Sequence, residues 1–388
     1  MQAPRVASKT LRMSESVIRM MTRLADEQGA LNLAQGFPDF PAPSSVKEAA
    51  VRAIRQDLNQ YAMTWGSPRL RRAVAKKTAR FSGLHCDPEK NVTVTCGSTE
   101  AMVAAVIALA EEGDEVVVLE PFYENYLPSV ILAGATPKVV PLGENFKLDE
   151  EALKSAFSRK TRLIIVNTPH NPSGKVLTRD ELKVVADLCS DYGATAVMDE
   201  IYEHILYDGR EHVSMAGLGD MADRTVTISG ISKTYTTTGW RVGYAIAEES
   251  ITDAIRKVHD YLTVCAPAPL QEAAAFALEL PDSYYRSLAS SYEKKRDLMT
   301  KGLHELGFDF FTPEGAYYIL ADFRSLSRLD DTRFAISMTK DCGVAVVPGS
   351  SFYADREKGK SEVRFSYSKK NGTLRKALEM MERYFRDN

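Results

Sequence analysis

The chain has 388 residues, 44% of them hydrophobic and 26% charged, which is enough for a large core and two or three domains. Lys and Arg total 49 and Asp and Glu total 52, a net charge of −3, so neither nucleic acid nor an anionic membrane is expected as a partner. No apolar run approaches the ~20 residues of a membrane span, and the N-terminus lacks a signal-peptide core, so we expect a cytoplasmic protein.

Between about residues 90 and 250, short apolar segments alternate with stretches of helical length. Residues 116–118 and 164–166 are apolar on both faces, as expected for central strands of a covered, mostly parallel sheet. The alternation predicts an α/β large domain, with a seven-stranded, mostly parallel sheet flanked by helices. The predicted strands are 92–95, 115–120, 137–142, 162–167, 194–200, 225–229 and 243–247.

After about residue 270 the pattern changes to a long helical stretch, three short strands and a final helix. The strands lie in "AYYILAD", "VAVVPGS" and "EVRFSYS". This order predicts a smaller α+β domain, which the N-terminal segment joins. The predicted division is a large domain over 46–270 and a small domain over 1–45 and 271–388.

Polar and aromatic residues follow the first predicted strands, at the sheet edge where open α/β sheets bind ligands. Gly97, Ser98 and Thr99 begin a helix and suit an anion, although a plain helix cap explains them equally well when taken alone. Tyr123 follows the second strand and is either a site aromatic or a core residue. Asn171 lies in the loop "TPHNPSG", where we predict a cis bond to the proline that follows.

Charged residues follow the later predicted strands. Asp199, with Tyr202 three positions on, follows an apolar strand without a neighbouring Lys or Arg, so a ligand cation is its expected partner. Lys233 and Arg241 follow the next strand, within "GISKTYTTTGWRVGY". In this order, these groups fit a ligand with a phosphate, a flat ring with a basic nitrogen, a phenolate oxygen and an aldehyde. That ligand is pyridoxal 5′-phosphate (PLP).

Longer motifs point the same way. They are "NLAQGFPDFPAP", "NQYAMTWGSPRLRRAVA", "NTPHNPSGKVLT", "MDEIYEHI", "SKTYTTTGWRVGY", "PEGAYY" and "EVRFSYS". Through nearly its whole length the chain resembles the class I/II aminotransferases, which are fold-type-I PLP enzymes. It looks closest to the subgroup with kynurenine, glutamine, methionine, aromatic and aspartate aminotransferases.

The resemblance implies a role for each residue around the cofactor ring. Lys233 would form the Schiff base and carry the proton between the substrate Cα and the cofactor C4′. Asp199 would pair with the pyridinium nitrogen and keep it protonated. Asn171 and Tyr202 would bind the phenolic oxygen O3′, and Tyr123 would stack on the ring.

The resemblance also implies phosphate and substrate contacts. The phosphate would be held by Gly97, Ser98, Thr99 and Arg241. The substrate α-carboxylate would be bound by Arg364, with help from Asn171 and the Gly36 backbone. Tyr61 would reach the phosphate in the other subunit, so the resemblance implies a homodimer with shared active sites.

Two departures from the family pattern concern the phosphate. Many relatives carry a serine three residues before the lysine, where this chain has Gly230, so Ser232 is the candidate substitute. Thr236 and Thr237 stand where small or apolar residues are usual.

The five cysteines form no C-x-x-C pair and have no nearby His cluster, so we expect reduced thiols, without a metal site or a disulfide framework. They are Cys86, Cys96, Cys189, Cys265 and Cys342.

Three functions are weighed. The first is an aminotransferase that moves an amino group from an L-amino acid to a 2-oxo acid by a ping-pong mechanism. The second is a sibling β-lyase, which would share every residue above. The third is the sensor half of a transcription regulator. Such regulators carry a DNA-binding domain ahead of this fold, and the about 45 residues before the large domain are expected to leave no room for a helix-turn-helix module.

The expected donor is neutral or aromatic, with aspartate as the alternative. Glu100 lies beside the phosphate turn and would repel a second substrate carboxylate if its side chain faced the pocket.

Overall fold

The structure is a computed structural model that describes residues 5–387. Its α-helices are α1 Val17–Gln28, α2 Ser44–Arg55, α3 Pro68–Ser82, α4 Ser98–Leu109, α5 Tyr126–Ala133, α6 Glu150–Ala156, α7 Arg179–Tyr192, α8 Glu249–Thr263, α9 Ala268–Leu278, α10 Asp282–Leu306, α11 Asp331–Ser337 and α12 Asn371–Asp387. Its strands are β1 Leu31–Asn32, β2 Val92–Thr95, β3 Glu115–Glu120, β4 Thr136–Pro141, β5 Thr161–Asn167, β6 Thr195–Asp199, β7 Thr225–Gly230, β8 Gly243–Ile246, β9 Asp309–Phe310, β10 Tyr318–Asp322, β11 Val344–Ala345, β12 Val347–Pro348 and β13 Glu362–Ser366.

A seven-stranded sheet in the order β2-β8-β7-β6-β5-β3-β4 forms the centre of the large α/β unit. Its strands are parallel except β8, which runs antiparallel to both of its neighbours, β2 and β7. The prediction of a seven-stranded, mostly parallel sheet is confirmed, and each strand bound lies within one residue of its predicted position.

Apolar packing on both faces explains why the strands were readable in the sequence. One face packs in a core that includes Val116, Val118 and Ile165, and the opposite face packs in another that includes Val117 and Ile164. The helices that flank the sheet therefore exclude water from both sides, and the carboxyl ends of β5, β6 and β7 open at one edge.

The second unit combines the two ends of the chain. A four-stranded antiparallel sheet, in the order β12-β13-β10-β9, packs with the C-terminal helices. The short strand β1 pairs in parallel with β11, so Leu31 and Asn32 lie beside Val344 and Ala345. This pairing confirms the expected smaller α+β unit, built from the N-terminal segment and the C-terminal part.

Within residues 5–387, we find no helix both long and apolar enough to cross a membrane.

Candidate active site

A cavity of about 400 Å³ lies where the carboxyl edge of the large sheet meets the small sheet. The site residues predicted from the sequence line it, apart from Gly97 and Tyr61. Those that line it are Gly36, Ser98, Thr99, Tyr123, Asn171, Asp199, Tyr202, Ser232, Lys233, Arg241 and Arg364.

Lys233 follows the end of β7 and is half-buried. Its Nζ donates a hydrogen bond of 3.2 Å to the carbonyl oxygen of Gly36, which belongs to the N-terminal segment. No other lysine of the described chain lines this cavity. The amine therefore lies between the large sheet and the segment that crosses over from the small one.

Two glycines allow the backbones of β7, β8 and the start of α4 to pack closely together. A Cβ at Gly230 would lie 2.9 Å from both Gly243 Cα and the Val242 carbonyl oxygen. A Cβ at Gly243 would lie 2.5 Å from the backbone nitrogen of Ser98. A serine at 230 would thus need a backbone shift in this structure.

Asp199 ends β6 as a buried carboxylate that faces the cavity. Its Oδ2 accepts a 2.8 Å hydrogen bond from the hydroxyl of Tyr126, and its Oδ1 accepts from the backbone N–H of Ile201 at 3.3 Å. Burial raises the pKa of Asp199 above its ordinary value. Across residues 5–387 no Lys, Arg or His forms an ion pair with it, which leaves it open to a cationic ligand.

The loop after β5 carries Asn171, whose peptide bond to Pro172 is cis, as predicted. The backbone N–H of Asn171 donates to Asn167 Oδ1 at 2.8 Å, which anchors the loop to the strand end. Asn171 Oδ1 accepts from Arg364 Nη1 at 2.8 Å. The loop therefore links the large sheet to the arginine of the small sheet.

Arg364, in the middle of β13, is buried with its guanidinium in the cavity. Its Nη2 donates to the carbonyl oxygen of Ala34 at 2.7 Å. The guanidinium carbon lies 4.2 Å from the ring centroid of Tyr318 and 4.9 Å from that of Phe352. Its Nε is buried without a hydrogen-bond partner in the described chain, so the fork retains an unsatisfied donor.

An anion cup forms where α4 begins. Ser98 and Thr99 are the first residues of α4, where backbone N–H groups point outward. Gly97 precedes them at a φ of 87°, and a Cβ there would lie 2.4 Å from Arg241 Nη2. A larger residue there would displace the guanidinium of Arg241 from its position beside the helix terminus.

Glu100 is turned away from the cavity. Its Oε2 accepts from the backbone N–H of Cys96 at 2.9 Å, and its Oε1 lies 3.0 Å from His259 Nδ1. The condition under which Glu100 would repel a second substrate carboxylate is therefore not met, because its side chain does not line the cavity.

Tyr61 lies outside the cavity with 85% of its surface exposed. Several cavity residues were not foreseen, among them Tyr126 and Tyr318. Their hydroxyls reach Asp199 and Tyr202 across different elements, and single-sequence patterns carry no signal for such contacts. The repeated aromatic in "PEGAYY" was the one available sign of Tyr318.

The chain is similar in sequence and structure to known proteins. The model of the family "Aminotransferase class I and II" matches residues 28–381. The probable N-succinyldiaminopimelate aminotransferase of Mycobacterium tuberculosis is 39% identical over 378 residues, which are 94% of this chain and 95% of that protein. A solved structure of that enzyme has a TM-score of 0.95 and covers 97% of this chain and 99% of its own.

Two further relatives carry other names. The methionine aminotransferase of Escherichia coli is 37% identical over 375 residues, 96% of this chain and 97% of that protein. The kynurenine–oxoglutarate transaminase of Dictyostelium discoideum is 35% identical over 410 residues, 96% of this chain and 94% of that protein. The relatives thus share a family across different named donors. With Lys233, the buried carboxylate of Asp199 and the guanidiniums of Arg241 and Arg364 in one cavity of a matching fold, the chain belongs to the class I and II aminotransferases.

Proposed function

We propose that this aminotransferase uses PLP to move the amino group of an L-amino acid to a 2-oxo acid in two half-reactions. The observation that carries the proposal is one cavity that holds Lys233, a buried Asp199 without a protein cation, and the guanidiniums of Arg241 and Arg364. Each group matches a different part of the cofactor or substrate.

The residues present fit PLP. Arg241 and the start of α4 suit a phosphate dianion, and Gly97 leaves the space that Arg241 needs. Asp199 would hold a protonated ring nitrogen, which relieves its uncompensated burial. When bound, PLP supplies an aldehyde that links to an amine and a ring that accepts electron density from the substrate Cα.

The remaining cofactor contacts are assigned on the same basis. Asn171 and Tyr202 would hold the phenolic oxygen, Tyr123 would cover the ring, and Ser232 would take the phosphate contact that Gly230 cannot make. Lys233 Nζ would move the proton at the substrate Cα, since it is the amine that lines the cavity.

Arg364 would bind the substrate α-carboxylate, with Asn171 and the Gly36 backbone beside it. Its unsatisfied Nε and its fixed stacking on Tyr318 support this role, because a guanidinium held in one plane loses little entropy on binding. A carboxylate common to donor and acceptor would then use one site in both half-reactions.

The donor we propose is neutral or aromatic. Ile18, Phe37, Tyr123 and Tyr318 line the cavity and offer apolar surface to a substrate side chain. Arg19 and Glu124 also line it, and their opposite charges leave no strong preference for a second carboxylate. Aspartate remains the alternative donor, and β-lyase activity the alternative reaction.

A homodimer with shared sites is part of the proposal. Tyr61 and Tyr261 are 85% and 93% exposed, and Leu262 and Val264 are also exposed. The two segments adjoin, because His259 Nε2 lies 2.8 Å from the carbonyl oxygen of Thr64. An exposed apolar patch of this kind beside the anion cup suits a second copy of the chain.

Borohydride reduction of the PLP-loaded protein, followed by peptide mapping, tests the function. We expect a single adduct on Lys233, since this amine faces the cavity. An adduct on another lysine would refute the assignment. A panel of twenty amino acids against 2-oxoglutarate, pyruvate and oxaloacetate then identifies the donor and the acceptor.

A further inference from the structure

Tyr318 is a buried phenol at the start of β10 to which the roles above assign no chemistry. It lines the same cavity as Lys233 and Tyr202. The Arg364 guanidinium covers its ring. The hydroxyl enters the site from the small sheet, opposite the strand ends that carry the other groups.

The hydroxyl of Tyr318 meets that of Tyr202, with the two oxygens 3.1 Å apart. The rings stand nearly perpendicular, at 87°, and Tyr317 packs against both, with centroids 5.2 Å from Tyr202 and 4.9 Å from Tyr318. A Cβ at Gly36 would lie 1.9 Å from the Tyr318 oxygen, so this glycine leaves the space that the hydroxyl occupies. Packing thus holds the pair of hydroxyls in place.

The direction of the hydrogen bond that each hydroxyl donates can be assigned for Tyr317, Tyr202 and Tyr318. The Tyr317 hydroxyl donates to the Gly36 carbonyl at 3.0 Å. Burial raises the pKa of Tyr202 and of Tyr317 well above the ordinary value, so both keep their protons at neutral pH. If the Tyr202 hydroxyl donates its hydrogen bond to a ligand oxygen, the Tyr202 oxygen accepts the hydrogen bond from Tyr318.

We propose that Tyr318 is a positioning residue whose hydroxyl donates to Tyr202 and directs the Tyr202 proton to the phenolic oxygen of PLP. This inference rests on the proposed function. A hydrogen-bond chain strengthens its last donor, so Tyr202 would hold the ionised phenolic oxygen more firmly. Less negative charge would then face the linkage between Lys233 and the cofactor, and the linkage would lose its proton at lower pH.

Tyr318→Phe removes the hydroxyl and keeps the ring beneath Arg364. In the PLP-loaded protein, we expect the pH midpoint of the visible absorbance change to rise by about half a unit to one unit. We expect the PLP dissociation constant, measured by titrating the apoprotein, to rise roughly threefold to tenfold. Thermal melting verifies that the variant is folded.

Tyr292→Phe is the matched control. Tyr292 is buried against Tyr317, and within residues 5–387 its hydroxyl has no hydrogen-bond partner. Its loss should leave the pH midpoint unchanged.

A double-mutant cycle separates a relay from a direct contact. Tyr318→Phe should shift the midpoint in the wild-type background and not in a Tyr202→Phe background. Equal shifts in both backgrounds would overturn the inference, as would an unshifted Tyr318→Phe beside a shifted Tyr202→Phe. A wild-type chain that takes up no PLP would instead overturn the proposed function, and the inference with it.

Discussion

Asp199 is a buried carboxyl group whose hydrogen-bond donors in the described chain are all uncharged. Tyr126 and the backbone of Ile201 supply hydrogen bonds, while burial raises the pKa of the carboxyl. A cationic ring nitrogen would regain for Asp199 the favourable interaction that it lost on leaving water. The charge of Asp199, more than its shape, is therefore the property to test.

Asp199→Asn should keep PLP bound and lower kcat by roughly three orders of magnitude or more. The amide preserves the volume, and its oxygen can still accept from the backbone N–H of Ile201, but it cannot keep the ring nitrogen protonated. Visible absorbance measures the bound cofactor, and steady-state kinetics with the best donor measures kcat.

Tyr126→Phe is the control for this prediction. It removes one neutral hydrogen bond from Asp199 and keeps the charge, so kcat should fall about tenfold or less. A near-normal kcat in Asp199→Asn with bound cofactor would show that Asp199 is not the partner of the ring nitrogen.

The sequence predicted that the residues which follow the strands lie together. Parallel strands bring their carboxyl ends to one edge of the sheet, and this holds for any packing of the flanking helices. The sequence did not predict contacts that depend on how the two units meet. Tyr318 reaches Tyr202 across 116 positions, and the orientation of Glu100, which the sequence left open, is set by its contact with His259.

At the scale of elements, the start of α4 depends on one backbone conformation. Gly97 has φ 87° and ψ 163°, a region that side chains avoid. Its missing Cβ is what lets Arg241 lie against the helix terminus. The helix end and the arginine therefore form one structural element of the anion cup.

Gly97→Ala should raise the PLP dissociation constant roughly tenfold to a hundredfold, because displacing Arg241 loses charge-assisted hydrogen bonds. Titration of the apoprotein with PLP measures this. Gly193→Ala is the control, since Gly193 also has positive φ, at 69°, and no atom within 4 Å of an added Cβ. A Gly193→Ala protein that lost equal affinity would show that backbone strain, and not Arg241, controls the cup.

A buried ion pair joins α3 to the segment after β6. Lys77 bonds to Glu203, which also accepts from the Ser229 hydroxyl at 2.6 Å. Burial alone would raise the pKa of Glu203, but the charge of Lys77 holds it at about 2, below the ordinary 4.5. Stability from this pair is complete above pH 4.5 and is lost as pH falls towards 2.

Lys77→Met should lower the free energy of unfolding at pH 7 by about 3–5 kcal/mol, because it leaves a buried carboxylate unpaired. Lys76→Met, at the exposed neighbouring position, should change it by less than about 0.5 kcal/mol. Urea unfolding measures both. The difference in the free energy of unfolding between the two variants should decrease as pH falls from 4.5 to 2. A difference that increased over this range would contradict the assigned direction of the Glu203 pKa.

At the scale of the whole molecule, the exposed patch around Tyr61 and Tyr261 predicts how two copies cooperate. We mix Tyr61→Ala with Lys233→Ala protein and allow subunits to exchange. In a mixed dimer, the copy that keeps Lys233 receives an intact Tyr61 from its partner, so activity at limiting PLP should exceed that of either protein alone. Activity equal to the average of the two would show that Tyr61 does not act in the partner's site.

The sequence also predicted most of the large sheet, because seven apolar segments of four to seven residues are long enough to recognise. The strands β1 and β9 have two residues each and leave no periodic signal, and the single strand predicted in "VAVVPGS" is divided into the two-residue strands β11 and β12. The division into domains at 45/46 and 270/271 stays a prediction.

The pairing of β1 with β11 has a consequence for biosynthesis. Leu31 and its partner Val344 lie far apart in the sequence and are made at different times, and the carbonyl that Lys233 contacts lies five residues after Leu31. At about 5–20 residues per second, Leu31 waits roughly fifteen seconds to a minute before Val344 leaves the ribosome. The large sheet can be complete by then, but the cavity cannot, so the nascent chain gains its active site only after Arg364 has been made.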